Sequence, residues 1–186
     1  GVIKKEVTNL NKVVENYIRS PEFQNLQKRN PDMRLETANS PDLFNVLCSG
    51  YNLFKLIMNL VGNAAESMPQ GGLIMLTTRN CYLDQTIMGY DTIPEGEYVM
   101  LGVKDQGSGI APEDMKKIFE PVYTKKVMGR SSGTGLGMSV IWGIIKDHQG
   151  FIDIQSQLGQ GTLMQVYFPI CRQPEKTNTP VANDQY

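Results

Sequence analysis

Apolar residues recur along the chain with two periods, and the switch from one to the other marks out the elements. Leu10, Val13, Val14, Tyr17 and Ile18 follow the i, i+3, i+4 spacing of one buried helical stripe, with Thr8 or Asn9 placed to cap it. Ser20-Pro21-Glu22 reads as a helix restart, with Ser20 as cap and Pro21 in the first turn. Asn30-Pro31-Asp32 is a turn, and the alternation of Met33, Leu35 and Thr37 predicts a strand at about 32–38. The strongest helical signal covers 51–68, where Leu53, Leu56, Ile57, Leu60, Val61 and Ala64 share a face, and Pro69-Gln70-Gly71-Gly72 stops it.

Beyond that stop, residues 73–82 and 98–103 read as strands joined by a polar stretch, 83–97, that suits a long hairpin loop. A short helix follows at 112–119, then a glycine-rich stretch at 128–137, and then a helix at 136–148 that ends at Gly150. Residues 151–155 and 162–168 alternate around a turn at Gly159-Gln160-Gly161. Helices and strands are interleaved and hairpins are present, which predicts an α+β fold with helices on one face of a sheet. After Pro169 the chain turns polar, so 172–186 is expected to be a tail or linker. The remainder, 1–171, reads as one domain, the size its length allows.

Composition narrows the function classes. The net charge of −1 leaves no basic footprint for nucleic acid or for an anionic membrane. No apolar run approaches the roughly 20 residues that span a bilayer. Cys48, Cys81 and Cys171 form no CxxC pair and are read as reduced thiols. His148 is the only histidine, which leaves no His-rich metal site.

Three clusters could carry chemistry. Asn59 and Asn63 lie one turn apart on the long helix, so both carboxamides project from the same face. They could be helix-face amides satisfied by the backbone, or hard oxygen donors for Mg²⁺. Asp105-Gln-Gly107-Ser-Gly109 follows a strand; it could be an ordinary turn, or a carboxylate fixed where a flat ligand approaches. Gly133-Thr134-Gly135-Leu136-Gly137 opens a helix. It could be a flexible loop, or a row of N–H groups that holds phosphate. It is not a Walker A loop, and the second cluster is not a Rossmann fingerprint.

In this order the clusters resemble the Bergerat nucleotide fold shared by gyrase, MutL, heat-shock chaperone ATPases and histidine kinases. The closer resemblance is to the catalytic and ATP-binding domain of bacterial sensor histidine kinases, in the nitrogen-regulation-like subgroup. "MNLVGNAAESMPQGG" is similar to that family's N box, "VKDQGSGI" to its G1 box, "IFEPVYTKK" to its F box and "GTGLGMSV" to its G2 box. "KDHQGFIDIQSQLGQGT" and "VYFP" resemble its closing helix and hairpin. The likeness spans about 8–169.

The resemblance implies a two-layer α/β sandwich with a mixed, mostly antiparallel sheet and a flexible ATP lid, binding ATP and Mg²⁺. By resemblance Asn63 ligates Mg²⁺, Asn59 supports the metal and phosphate site, and Asp105 receives the adenine amino group, with Gly107 and Gly109 shaping that pocket. Phe119 and Tyr123 anchor the lid, and Lys126 or Arg130 reaches the phosphates. The stretch Gly133, Thr134, Gly135, Leu136 and Gly137 cradles them.

ATP-hydrolysing members of the wider fold carry a glutamate where this chain has Asn59, and an amide cannot activate water as a base. The resemblance therefore favours phosphoryl transfer over a gyrase- or MutL-type ATPase, with a nucleotide-independent interaction module as a further alternative. The implied partners are the dimerisation and histidine phosphotransfer domain of the same protein and a response regulator receiver domain. By resemblance the acceptor histidine lies in a dimerising helical hairpin upstream, with residues 1–7 the end of the connection from it, so this chain alone is expected not to phosphorylate itself. His148, at a helix C-terminus, is read as a dipole or capping residue rather than the acceptor. The implied location is cytoplasmic, within a parent that can be membrane-anchored. Val122 departs from a common Phe, and Glu66 sits where many kinases are basic; Glu66 is read as solvated.

Overall fold

Asn9 has extended backbone and its side chain accepts from the Asn11 N–H, which starts α1 at Leu10–Ile18. Ser20 caps α2 (Pro21–Arg29) through the Phe23 N–H, with Pro21 in the first turn, where an N–H would lack a partner anyway. Ser49 caps α3 (Gly50–Glu66) through the Asn52 N–H. The computed structural model describes residues 3–120 and 137–176. Its other helices are a short α4 (Pro112–Met115) and α5 (Gly137–Asp147). The sequence predicts a longer helix at 112–119; only its first turn is helical.

Nine strands occur among the described residues: β1 (Glu6–Thr8), β2 (Met33–Asn39), β3 (Asn45–Cys48), β4 (Gly72–Leu83), β5 (Ile87–Met88), β6 (Thr92–Ile93), β7 (Gly96–Lys104), β8 (Phe151–Gln157) and β9 (Gly161–Cys171). Seven of them form one sheet in the order β1-β3-β9-β7-β4-β2, with β8 also paired to β9. Only β2 and β4 run parallel; the other pairs in this sheet are antiparallel. This is the mixed, mostly antiparallel sheet of the expected α+β sandwich. The short strands β1 and β3 are not evident from periodicity, being too brief for an alternation to show.

The pleat sorts β7 cleanly. Val99, Leu101 and Val103 face the helices and join Leu53, Leu56, Ile57, Leu60 and Val61 of α3 in the main core. Tyr98 and Met100 point the other way and meet Ile93 and Tyr167 in a second buried cluster. The stretch 83–97, expected as a loop, contains the β5–β6 ribbon, which brings Ile87 and Ile93 onto this face. Its tip reaches round the edge of β8: Ile152 N–H donates to Asp91, Tyr90 N–H donates to Asp153, and Lys146 pairs with Asp91. These contacts occupy part of an otherwise open strand edge.

His148 joins the end of α5 to the start of α3. Its Nε2 accepts from the Ser49 N–H at 3.0 Å, so Nδ1 carries the proton and donates to the Ile144 carbonyl at 2.7 Å. The side chain is buried, and burial holds its pKa below the usual histidine value. It is therefore a neutral staple at two helix ends, not a charged group at a helix dipole. Residues 172–176 are tied to the domain by Arg172–Glu97 and Lys12–Glu175 ion pairs, while 177–186 lie outside the described residues. Among the described residues no helix is long and apolar enough to cross a membrane.

Candidate functional site

Asp105 follows β7 and is only 7% exposed. Its Oδ1 accepts from the Gly107 N–H at 2.8 Å and from the Thr162 N–H at 3.2 Å. Burial nevertheless dominates: it pushes the carboxyl pKa up, against the lowering effect of those N–H groups and of Ser67. Both backbone bonds fall on Oδ1, which leaves Oδ2 without a backbone donor.

Asp105 lines a cavity of about 300 Å³, together with Leu60, Asn63 and Ala64 of α3, Ser108 and Gly109. That volume is at the lower end for small-molecule sites and suits a single fused ring. The glycines of this loop make room for the protein's own chain. A Cβ on Gly107 would lie 2.1 Å from the Ser67 hydroxyl oxygen, and one on Gly109 would lie 2.2 Å from the Gln157 carbonyl oxygen. Gly109 also has φ +73°, which favours glycine. Gly109 lines the cavity directly; Gly107 lets the loop close on the end of α3.

Beside Asn63, α3 meets α5. Asn59 donates through Nδ2 to the Lys55 carbonyl at 2.7 Å, and Asn63 donates through Nδ2 to the Met138 sulfur at 2.9 Å. With both amide nitrogens engaged, both oxygens turn towards the first residue of α5. Each Oδ1 lies 3.4 Å from where a Cβ on Gly137 would stand. The arrangement thus places two hard neutral oxygens beside Gly137, the first described residue of α5, which itself carries no side chain. Among the described residues no group of three or more His, Cys, Asp or Glu could hold a metal ion. A cation here would rely on amide oxygens and on a ligand's own oxygens, which suits Mg²⁺.

Asn63 and Asp105 therefore share one cavity, and Asn59 and Gly137 stand beside Asn63. Phe119 does not line that cavity. It packs against Trp142 and Tyr90, with ring centroids 5.1 and 5.5 Å away. Tyr123, Lys126, Arg130, Gly133, Thr134, Gly135 and Leu136 lie outside the described residues. Glu66, read from sequence as solvated, is half-buried and lines the cavity.

Sequence reasoning did not single out Ser67, Ser156, Leu158 or Thr162. A signal was present in Gly159-Gln160-Gly161. Gly161 has φ +109°, and a Cβ there would lie 2.1 Å from the Asp105 carbonyl oxygen. Its place next to Thr162 marks the point where the hairpin meets the Asp105 loop.

A family profile described as "Histidine kinase-, DNA gyrase B-, and HSP90-like ATPase" matches residues 50–172. The chain is 38% identical over 153 residues to the sensor kinase CckA of Brucella abortus, covering 81% of the chain and 16% of the relative. It is 33% identical over 147 residues to sporulation kinase E of Bacillus subtilis, covering 79% of the chain and 17% of the relative. The chain thus spans about a sixth of these relatives' length. Its fold is similar to that of the catalytic domain of histidine kinase ThkA, with a TM-score of 0.70 and 23% identity, covering 90% of this chain and 97% of that one.

Proposed function

Because the chain belongs to the histidine kinase-, DNA gyrase B- and HSP90-like ATPase family, as the catalytic domain of a sensor histidine kinase, we propose that it binds Mg²⁺–ATP in the Asp105–Asn63 cavity and donates the γ-phosphoryl group to a histidine on a separate domain. The observation that carries this is the cavity shared by a buried carboxylate, Asp105, and a carboxamide, Asn63, whose oxygen stands with that of Asn59 beside Gly137.

Asp105 accepts the exocyclic amino group of adenine through Oδ2, with Oδ1 held by two backbone N–H groups. Asn63, supported by Asn59, would hold Mg²⁺, which when bound neutralises phosphate charge and orients the phosphates. Gly137 leaves space for phosphate oxygens at the N-terminus of α5, with Gly133, Thr134, Gly135 and Leu136 continuing the cradle. Phe119 and Tyr123 would anchor the segment carrying Lys126 and Arg130, one or other of which would reach the phosphates. Catalysis rests on positioning and charge neutralisation, with no covalent step on the domain itself.

Asn59 supplies no carboxylate to activate water, which favours transfer over hydrolysis. His148 cannot accept the phosphoryl group in the folded domain, because both ring nitrogens are engaged in a buried contact. It is the chain's only histidine. The acceptor therefore belongs to the dimerisation and phosphotransfer domain of the parent protein. A response regulator receiver domain is the onward partner, in the cytoplasm.

Calorimetric titration tests this reading. The wild-type chain should bind ATP and ADP, and Asp105→Ala should lose both; undiminished affinity in the variant would refute the assignment of the base. Steady ATP turnover by the isolated chain would instead favour a hydrolase of the gyrase type.

A further inference from the structure

One wall of the cavity is contributed by an element with no assigned role, the turn between β8 and β9. Leu158 at its tip is 60% exposed, yet it lines the same cavity as Asp105. Among the described residues, the other large exposed apolar side chains, Phe44, Leu47, Tyr51, Tyr82 and Met88, do not line it.

The turn is seated firmly. Gly159 N–H donates to the Ser108 carbonyl at 2.8 Å, and Gln160 N–H donates to the Gln157 carbonyl at 3.0 Å. Ser156 Oγ accepts from the Ile110 N–H at 2.8 Å. A Cβ on Gly109 would stand only 3.0 Å from the Leu158 Cα, so the turn backbone rests directly on the loop after Asp105. Leu158 is therefore a fixed apolar surface at the mouth of the pocket. Deeper in, Ala64, Val103, Ile110 and Met164 supply further apolar lining. A leucine left in water beside such a pocket gains stabilisation when a ligand covers it.

We infer that Leu158 is a further binding contact for the nucleotide base, a fixed apolar lip against which the ring held by Asp105 packs. This rests on the reading of the cavity as an adenine nucleotide site. The residue acts at the base end, remote in role from the oxygens of Asn59 and Asn63. Its effect should therefore be independent of Mg²⁺.

The test is calorimetric titration of wild type, Leu158→Ala and Leu158→Met with ADP, each with and without Mg²⁺, beside a thermal melt of each protein. Leu158→Ala should weaken ADP about 5-fold, the factor expected for covering roughly half of a leucine side chain. The weakening should be equal with and without Mg²⁺, Leu158→Met should restore most of the affinity, and the melting temperature should be unchanged. Equal ADP affinity in wild type and Leu158→Ala would overturn the inference, as would a weakening confined to the Mg²⁺ titration. Failure of the wild-type chain itself to bind ADP would overturn the nucleotide reading, and this inference with it.

Discussion

Asp105→Asn separates two consequences of the same buried carboxyl. The amide keeps an oxygen to accept from Gly107 and Thr162, whose N–H groups lie 2.8 and 3.2 Å from Oδ1. What changes is the other atom: a charged acceptor becomes an N–H₂ donor facing an amine donor. A hydrogen bond to a charged group contributes about 1.5–3 kcal/mol, so ATP and ADP should weaken by roughly 10–150-fold. Folding should respond in the opposite sense. Burial raises the Asp105 pKa above its ordinary 3.8, so in that window the folded state holds more protons than the unfolded one. The contribution of Asp105 to stability is then fully present below the ordinary value and is lost as pH rises through the folded value. Asparagine carries no such dependence. In the absence of nucleotide, Asp105→Asn should melt higher than wild type at about pH 7.5, and the gap should shrink towards about pH 4. Thermal melts at the two pH values, with titrations at the higher one, check both halves. A variant that melts lower than wild type at neutral pH, or a gap that does not change with pH, would refute the claim that binding function is maintained here at a cost in stability.

His148→Gln should destabilise the fold by about 1–3 kcal/mol, because the buried contacts with Ser49 and Ile144 lose their geometry. The folded pKa of His148 is lowered, so its contribution is present above the usual histidine value of about 6.5 and lost as pH falls through the folded value; urea unfolding of wild type should weaken over that window more than that of the variant. Gly109→Ala should cost about 2 kcal/mol or more in the same assay, since φ is +73° and the new Cβ would overlap the Gln157 carbonyl. Gly137→Ala should change stability by no more than about 1 kcal/mol, yet weaken the Mg²⁺ complex of ADP, because the methyl would stand 3.4 Å from both asparagine oxygens.

The main helices and the long strands were legible because each repeats its pattern several times. Helix α3 shows its stripe from Leu53 to Ala64, about three turns, and β7 reads as an unbroken apolar run from Tyr98 to Val103. The parts that could not be read depend on partners distant in sequence. Strand β3 has four residues, and its pairing is set by β1 and β9. The ribbon in 83–97 looks like a polar loop until Tyr90 and Asp91 meet β8 and α5. At the site, Asn59 and Asn63 could be placed on one face from their spacing alone. The Asn59 bond to the Lys55 carbonyl one turn back is the backbone satisfaction the helix allows, but the Asn63 contact with Met138, 75 residues away, is specified by no local pattern. The glycines after Asp105 were legible as a tight loop. Their neighbours, Ser67 and the β8–β9 turn, are non-local contacts that only the folded chain brings together.

The central claim is that one cavity joins a base-binding carboxylate to a metal-binding carboxamide. Calorimetric titration of ATP into the Asn63→Ala variant and wild type, each with Mg²⁺ and with chelator, tests it most directly. Wild type should bind one ATP more tightly with Mg²⁺, while Asn63→Ala should keep the chelator affinity and lose the Mg²⁺ enhancement. An enhancement of equal size in both proteins would place the metal elsewhere and contradict the account.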